Sequence, residues 1–368
     1  MQLRPSTFQV LAPALLVLFL SVFTNLPAQT IAPSALLDKQ YNPANPLARA
    51  IADELRLAGD YLVGRGVAKD PAQAVYWYRK AADQGDPNAQ NQLGYFYCWG
   101  IGVERDEAQA AKWFMRAAAS GSQSAKLNLA VMVLKGSGGP RDVRFALDLL
   151  HQLAEKNNPR AECYLGVLSM IGEGVPLDPQ QAEKWFARAA KAKNPEGEYA
   201  MGRIWSFDPG HEHNFARAGD FLRRSARAGY VPAMHVLGLL LLDHPNIAKH
   251  PDEALASLRH ASEAGTWQAS DALAILARDG RSGVPQDISQ AFFWFNVAVA
   301  QGGPETLGPV RADLLRARDL LTADQQTRQI DAAQVWLQLH PHQDLFVFDS
   351  GVHALFPIQE VYAAPNGE

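Results

Sequence analysis

The chain has 368 residues, with 34 Lys and Arg against 38 Asp and Glu, a net charge of −4 at pH 7. It carries no basic stripe of the kind that polyanion binding requires, so no nucleic-acid partner is expected. Its length fits two or three globular domains or one elongated array.

The N-terminus reads as an export signal. Arg4 gives a minimal positive region, and residues 10–23 form an uncharged apolar run interrupted only by Pro13 and Ser21. That run is short for a membrane span, which takes about 20 residues, and suits the core of a signal peptide. Cleavage is expected after Ala28, with Leu26 larger than the usual residue at −3. Residues 1–28 are then a signal peptide, and the chain is periplasmic or secreted with no stable membrane span after cleavage. The alternative is an uncleaved N-terminal inner-membrane anchor. Residues 29–46 are polar and proline-rich and read as a linker.

From there a 36-residue repeat organises the chain. Trp77, Trp113 and Trp185 fall at multiples of this period, with Leu149 and Phe221 in the same column. Gly66 and Val67 recur as Gly102 and Val103, then as Gly174 and Val175. Asp70, Asp106, Asp142 and Asp178 keep step, as do the small residues Ala89, Ala125, Ala161, Gly197, Ala233 and Ala269. Seven units follow: 51–86, 87–122, 123–158, 159–194, 195–230, 231–266 and 267–303.

Each unit predicts a helical hairpin. In the second, Ala89, Leu93, Gly94 and Tyr97 share one face of a first helix. A glycine turn then reverses the chain, and Asp106 is placed to cap a second helix. That second helix buries Ala110, Trp113, Phe114, Ala117 and Ala118. Pro71 and Pro179 suit the first position of a helix. One hairpin cannot bury its apolar face, but a stack can. Residues 304–340 read as capping helices, and residues 341–368 as an apolar tail too hydrophobic for a free disordered end.

The pattern A…LG..Y..G.GV..D..A..W(F/Y)..AA..G resembles the Sel-one-like repeat (SLR) family, relatives of the tetratricopeptide repeats. The second unit carries it nearly throughout, from Ala89 to Gly121; the third is weaker, and the fifth and sixth lose the glycine turn. The resemblance implies an all-α fold: an α/α superhelical solenoid of seven helix-turn-helix repeats over residues 47–303, ending in the capping helices. For function it implies a scaffold or adaptor, often in bacterial cell envelopes. Some relatives staple each repeat with a cysteine pair, and this chain departs from that. Its Cys98 and Cys163 belong to units two and four, about 20 Å apart at one helix diameter per repeat, too far for a bridge.

No motif of catalysis stands out. The glycine cluster at 135–142 lacks the end of a phosphate loop and follows a helix rather than a strand. Neither a GxSxG elbow nor an HExxH pair is present. No cofactor is expected, and the chain is read as a non-enzyme. The histidines give one alternative: His211, Glu212, His213, His244 and His250 lie where the usual turn is lost. Convergent imidazoles there could hold a transition metal in a metal-binding or hydrolytic protein, although their intervals match no standard ligand spacing.

The helical wheel gives the preferred reading. Tyr95, Trp99, Val131, Tyr164, Val167, Tyr199, Arg203 and Phe207 fall on first-helix positions turned away from the hairpin core. In a tetratricopeptide-like stack these line the concave side, and an apolar, aromatic groove there reads as a partner site. The expected function is a periplasmic protein-binding scaffold for another protein or peptide in a cell-envelope assembly. A glycan or peptidoglycan binder using the same aromatics is a further alternative.

Overall fold

The computed structural model describes residues 45–207, 213–250, 252–303 and 307–341. The stretch read as a signal peptide, nearly all of the expected linker and all but the first residue of the expected tail lie outside them. Among the described residues the chain is all-helical, with sixteen α-helices, one short 3-10 turn and no strand. Seven hairpins pair a first helix with a second: α1 (Pro46–Val63) with α2 (Pro71–Asp83), α3 (Pro87–Trp99) with α4 (Glu107–Ala119), and α5 (Gln123–Lys135) with α6 (Val143–Glu155). The series continues as α7 (Pro159–Ile171) with α8 (Pro179–Lys191), α9 (Pro195–Phe207) with α10 (Phe215–Arg227), and α11 (Val231–Asp243) with α12 (Glu253–Glu263). Last come α13 (Trp267–Asp279) with α14 (Ile288–Gly302), followed by α15 (Leu307–Asp319) and α16 (Ala323–Leu339). The fold is the repeat solenoid expected from the sequence. It divides within α8, between Ala182 and Glu183, into two compact units.

Local chemistry sets each hairpin. Asp106 accepts from Gln109 N at 2.9 Å, Asp142 from Phe145 N at 2.9 Å and Asp287 from Gln290 N at 2.9 Å. Each satisfies a backbone donor that the first turn of a helix leaves over. The first helices α3, α5 and α7 stop at Gly100, Gly136 and Gly172, all left-handed at φ near 70°, the conformation that glycine adopts without a Cβ penalty. The second turn glycine has another task. A Cβ on Gly102 would collide with the carbonyl of Pro71, and one on Gly138 with the carbonyl of Glu107. Each turn therefore seats on the start of the preceding repeat's second helix.

The hairpin core is a small residue against a large one. Gly94, Gly202 and Gly238 of first helices face Phe114, Leu222 and Leu258 of their own second helices. Phe114, Leu222 and Leu258 have no exposed surface. One position earlier runs the tryptophan column, whose rings carry cations from one helical turn onward. Arg116 lies 4.7 Å from the Trp113 centroid, Lys80 4.7 Å from Trp77, Arg188 4.8 Å from Trp185 and Arg224 4.5 Å from Phe221. Trp113 is buried, and Trp77 and Trp185 are half-buried.

The sixth hairpin lacks the glycine turn and substitutes an ion-pair clamp. Its connection runs through the 3-10 turn Pro245–Ile247, and Asp252 makes no side-chain cap. Arg223 of α10 instead grips Glu253 at 2.7 and 3.1 Å and donates to the Ile247 carbonyl at 2.6 Å. This bidentate, charge-assisted pair fixes the turn against the preceding second helix, the place that a glycine occupies elsewhere. After α14, the helix α16 packs Ala333, Trp336 and Leu337 on Phe293 and Val297. Among the described residues no helix is long and apolar enough to cross a membrane.

Candidate interaction surface

In the N-terminal compact unit, α3 carries Tyr95 and Trp99 one turn apart, their rings tilted with centroids 6.1 Å apart. Both are half-buried. The Tyr95 hydroxyl is shielded from water and hydrogen-bonds to nothing among the described residues. Burial, and secondarily the nearby Cys98 thiol, pushes its pKa up to about 12. Adjacent first helices meet at these positions: Asn128 of α5 donates to Asn91 of α3 at 3.0 Å, and Cys98 Sγ lies 3.8 Å from Met132 Sδ. The Cys98 thiol is pushed up to about 12 by burial first and Glu107 second, against the pull of Arg105 and Lys135. Burial lowers Lys135 to about 7, although Cys98 and Glu107 act to raise it. The two cysteines are not bridged to each other.

In the C-terminal compact unit the first helices α9 and α11 carry a buried polar group. Tyr199 and Arg203 of α9 are 1% and 4% exposed, and His235 of α11 is 3% exposed. Tyr199 hydrogen-bonds the Arg203 guanidinium, and its ring meets Tyr230 edge-on at 5.3 Å. Burial lowers the Arg203 pKa from its ordinary value while the Tyr199 contacts raise it; a guanidinium stays charged regardless. His235 is lowered to about 4, by burial first and by the Arg203 charge second, so it is neutral at pH 7.

These placements correct one expectation. Val131, Tyr164, Val167, Tyr199 and Arg203 are buried rather than presented to solvent. The reason is visible in the Asn91–Asn128 bond and in the coupling of Arg203 to His235: the positions assigned to an open face also form the seam between neighbouring first helices. Among the seven of these residues whose side chains are described, only Tyr95 and Trp99 are half-open. Phe207 ends α9, and its side chain lies outside the description. His235, which the sequence reading did not single out, signals its place by standing alone in the apolar run of 231–242.

The histidine alternative gains no ligand set. His211 and Glu212 lie outside the described residues. His244 stacks on Phe215 at 3.6 Å and 19°, His213 approaches the same ring at 5.7 Å, and His250 is exposed. Among the described residues no three His, Cys, Asp or Glu side chains group closely enough to hold a metal ion. In the glycine cluster at 135–142, Gly136 ends α5 and Gly138 is packed against Glu107, so the loop serves the repeat turn.

A family profile described as Sel1 repeat matches residues 54–86, 87–122, 123–158, 159–194, 195–230 and 270–303. Four of these stretches coincide with the units read from the period, and the clamp-bearing sixth unit falls between the last two. Among solved structures, a Sel1 repeat protein from Oxalobacter formigenes is similar, with 27% identity and a TM-score of 0.59 over 69% of this chain and 99% of that one. A protective antigen of uropathogenic Escherichia coli displaying an SLR fold has 25% identity and a TM-score of 0.43, over 86% of this chain and 73% of that one. The sequence matches none of the curated proteins with which it was compared.

Proposed function

The chain belongs to the Sel1 repeat family, whose members act as non-catalytic protein-interaction scaffolds, and on that premise we propose that its first helices bind another protein or peptide in a bacterial cell-envelope assembly. The observation that carries this reading is the Tyr95–Trp99 pair. Two large aromatic side chains stand half-open on a first helix, with the tyrosine hydroxyl in need of a partner. Aromatic residues of this kind are the usual anchors of protein interfaces, and a buried hydroxyl gains from any acceptor that reaches it. Val131, Tyr164, Val167, Tyr199 and Arg203 are buried and take no part in this surface.

The setting follows from the N-terminus. Residues 1–28 direct export, and the mature chain works in the periplasm. Mass spectrometry of the mature N-terminus tests this: a chain beginning near Gln29 supports it, and a cytoplasmic chain retaining Met1 contradicts it. For the binding site, Trp99→Ala should weaken capture of the partner by about 2 kcal/mol or more, as loss of an interface anchor does. Capture unchanged by this substitution contradicts the assignment.

A further inference from the structure

A polar cavity of about 830 Å3 lies within the N-terminal compact unit, inside the range of about 300–1,000 Å3 for small-ligand sites. Helix α2 lines it with Arg79, α3 with Tyr97, the turn before α4 with Glu104, Arg105 and Asp106, and α4 with Glu107 and Gln109. Tyr97 stands two residues after Tyr95, about 200° around the helix. The cavity is therefore separate from the Tyr95–Trp99 surface.

The charges around this cavity are unevenly used. Arg105 pairs with Glu107 at 2.5 Å, and Asp106 caps α4 through Gln109 N at 2.9 Å. Arg79 and Glu104 line the same space but form no ion pair, with each other or with any other group among the described residues. Tyr97 holds Arg79 instead. The Arg79 Nη2 donates to the Tyr97 hydroxyl, and the guanidinium carbon lies 5.8 Å from the ring centroid. That arrangement keeps the Nε and Nη1 donors of Arg79 available, and a hydroxyl that accepts one hydrogen bond can still donate its own. Donors of this kind suit a carboxylate, which a guanidinium fork grips in two places. Glu104, ionised, accepts only, and suits an ammonium. Between these charges the Gln109 side chain, unbonded among the described residues, offers one donor group and one acceptor, the complement of a peptide group.

We propose that this cavity binds a short peptide with both ends free. Its terminal carboxylate lies on Arg79 and Tyr97, its terminal ammonium on Glu104, and a peptide group between them on Gln109. A tripeptide at about 3.3 Å per residue spans on the order of 10 Å, the scale of the cavity. Segments from the middle of a protein chain match neither charge and are not its ligands. The site is independent of partner capture through Tyr95.

The test titrates the full chain with trialanine, with its C-terminal amide, with its N-acetyl form and with acetate, each followed by nuclear magnetic resonance of the ligand methyls. Trialanine should bind at millimolar concentration. Amidation should weaken binding about tenfold or more, the loss of a charge-assisted bond, and acetylation by a similar factor. Arg79→Gln should bind trialanine and its amide equally weakly, and Glu104→Gln should no longer distinguish trialanine from its N-acetyl form. Both side chains are exposed, so neither substitution should disturb the fold, which unchanged urea midpoints confirm. No binding of trialanine, unchanged binding in both variants, or acetate binding as tightly as trialanine overturns the proposal. Capture through Tyr95, read on the same variants, should be unchanged, so either site can fail while the other stands.

Discussion

A Cβ placed on Gly94 would come within 2.6 Å of Cε1 of Phe114, so the first and second helices of this hairpin touch where one has no side chain and the other has a whole ring. The relationship recurs as Gly202 with Leu222 and Gly238 with Leu258. The hairpin is therefore locked by shape. Phe114→Ala should cost about 3–5 kcal/mol, the range for truncating a core aromatic. Tyr76→Ala, at a side chain 52% exposed on a second helix, should stay within about 0.5 kcal/mol. Urea unfolding of both variants checks the contrast, and equal costs would contradict the lock.

The turn glycines separate two causes of intolerance. Gly121 and Gly138 both have positive φ, at 91° and 74°, but a Cβ on Gly121 meets nothing within 4 Å. Gly121→Ala should then cost about 1 kcal/mol from backbone strain alone. Gly138→Ala adds the collision with Glu107 and should cost at least twice as much, read as a larger drop in urea midpoint. Similar drops would mean that the turn does not seat on the preceding repeat.

His235 makes stability depend on pH. Its folded pKa of about 4 lies below the unfolded value near 6.5, so between these pH values the unfolded state binds the extra proton. Stability is full above pH 6.5 and falls as pH drops towards 4, by up to about 3 kcal/mol. His235→Gln should flatten this limb in unfolding curves taken from pH 7 to pH 4. Glu253 acts at lower pH. Burial raises its pKa, but its bonds to Arg223 and the Lys249 N–H outweigh this and leave it below the usual value. Its contribution is present above pH 4.5 and lost as pH falls through the folded value, so Glu253→Gln should change the acid limb without touching the slope above pH 5. An unchanged slope in His235→Gln would contradict the buried neutral imidazole.

Both thiols should resist alkylation in the native protein and react after denaturation. Cys163 has no exposed surface, and the Cys98 thiol is pushed up to about 12, leaving almost no thiolate at pH 8. Mass spectrometry after iodoacetamide treatment, with and without denaturant, reads the result. Rapid native labelling of Cys98 would contradict its burial against Met132.

The helical hairpins were legible because the period repeats residues whose chemistry is local: caps, turn glycines and small-against-large contacts lie within about one unit of each other. Asp106, Gly100 and the Gly94–Phe114 pair can all be read from a single repeat. The clamp of Arg223 on Glu253 was not legible, because it joins two repeats across 30 positions and replaces a motif by an ion pair. The first-helix face was only half legible. A wheel separates the side facing the second helix from the rest, but it does not divide the rest between seam and open surface. Hence Tyr199 and Arg203, assigned alongside Tyr95 and Trp99, proved to be buried.

The most direct test of the scaffold reading is photocrosslinking in living cells from position 95, compared with position 76 on a second helix. The account predicts that a crosslinker at Tyr95 captures a defined protein partner, that Trp99→Ala reduces the yield at least tenfold, and that Tyr76 captures none of it. Equal capture from Tyr76 and Tyr95, or a yield unaffected by Trp99→Ala, would contradict it.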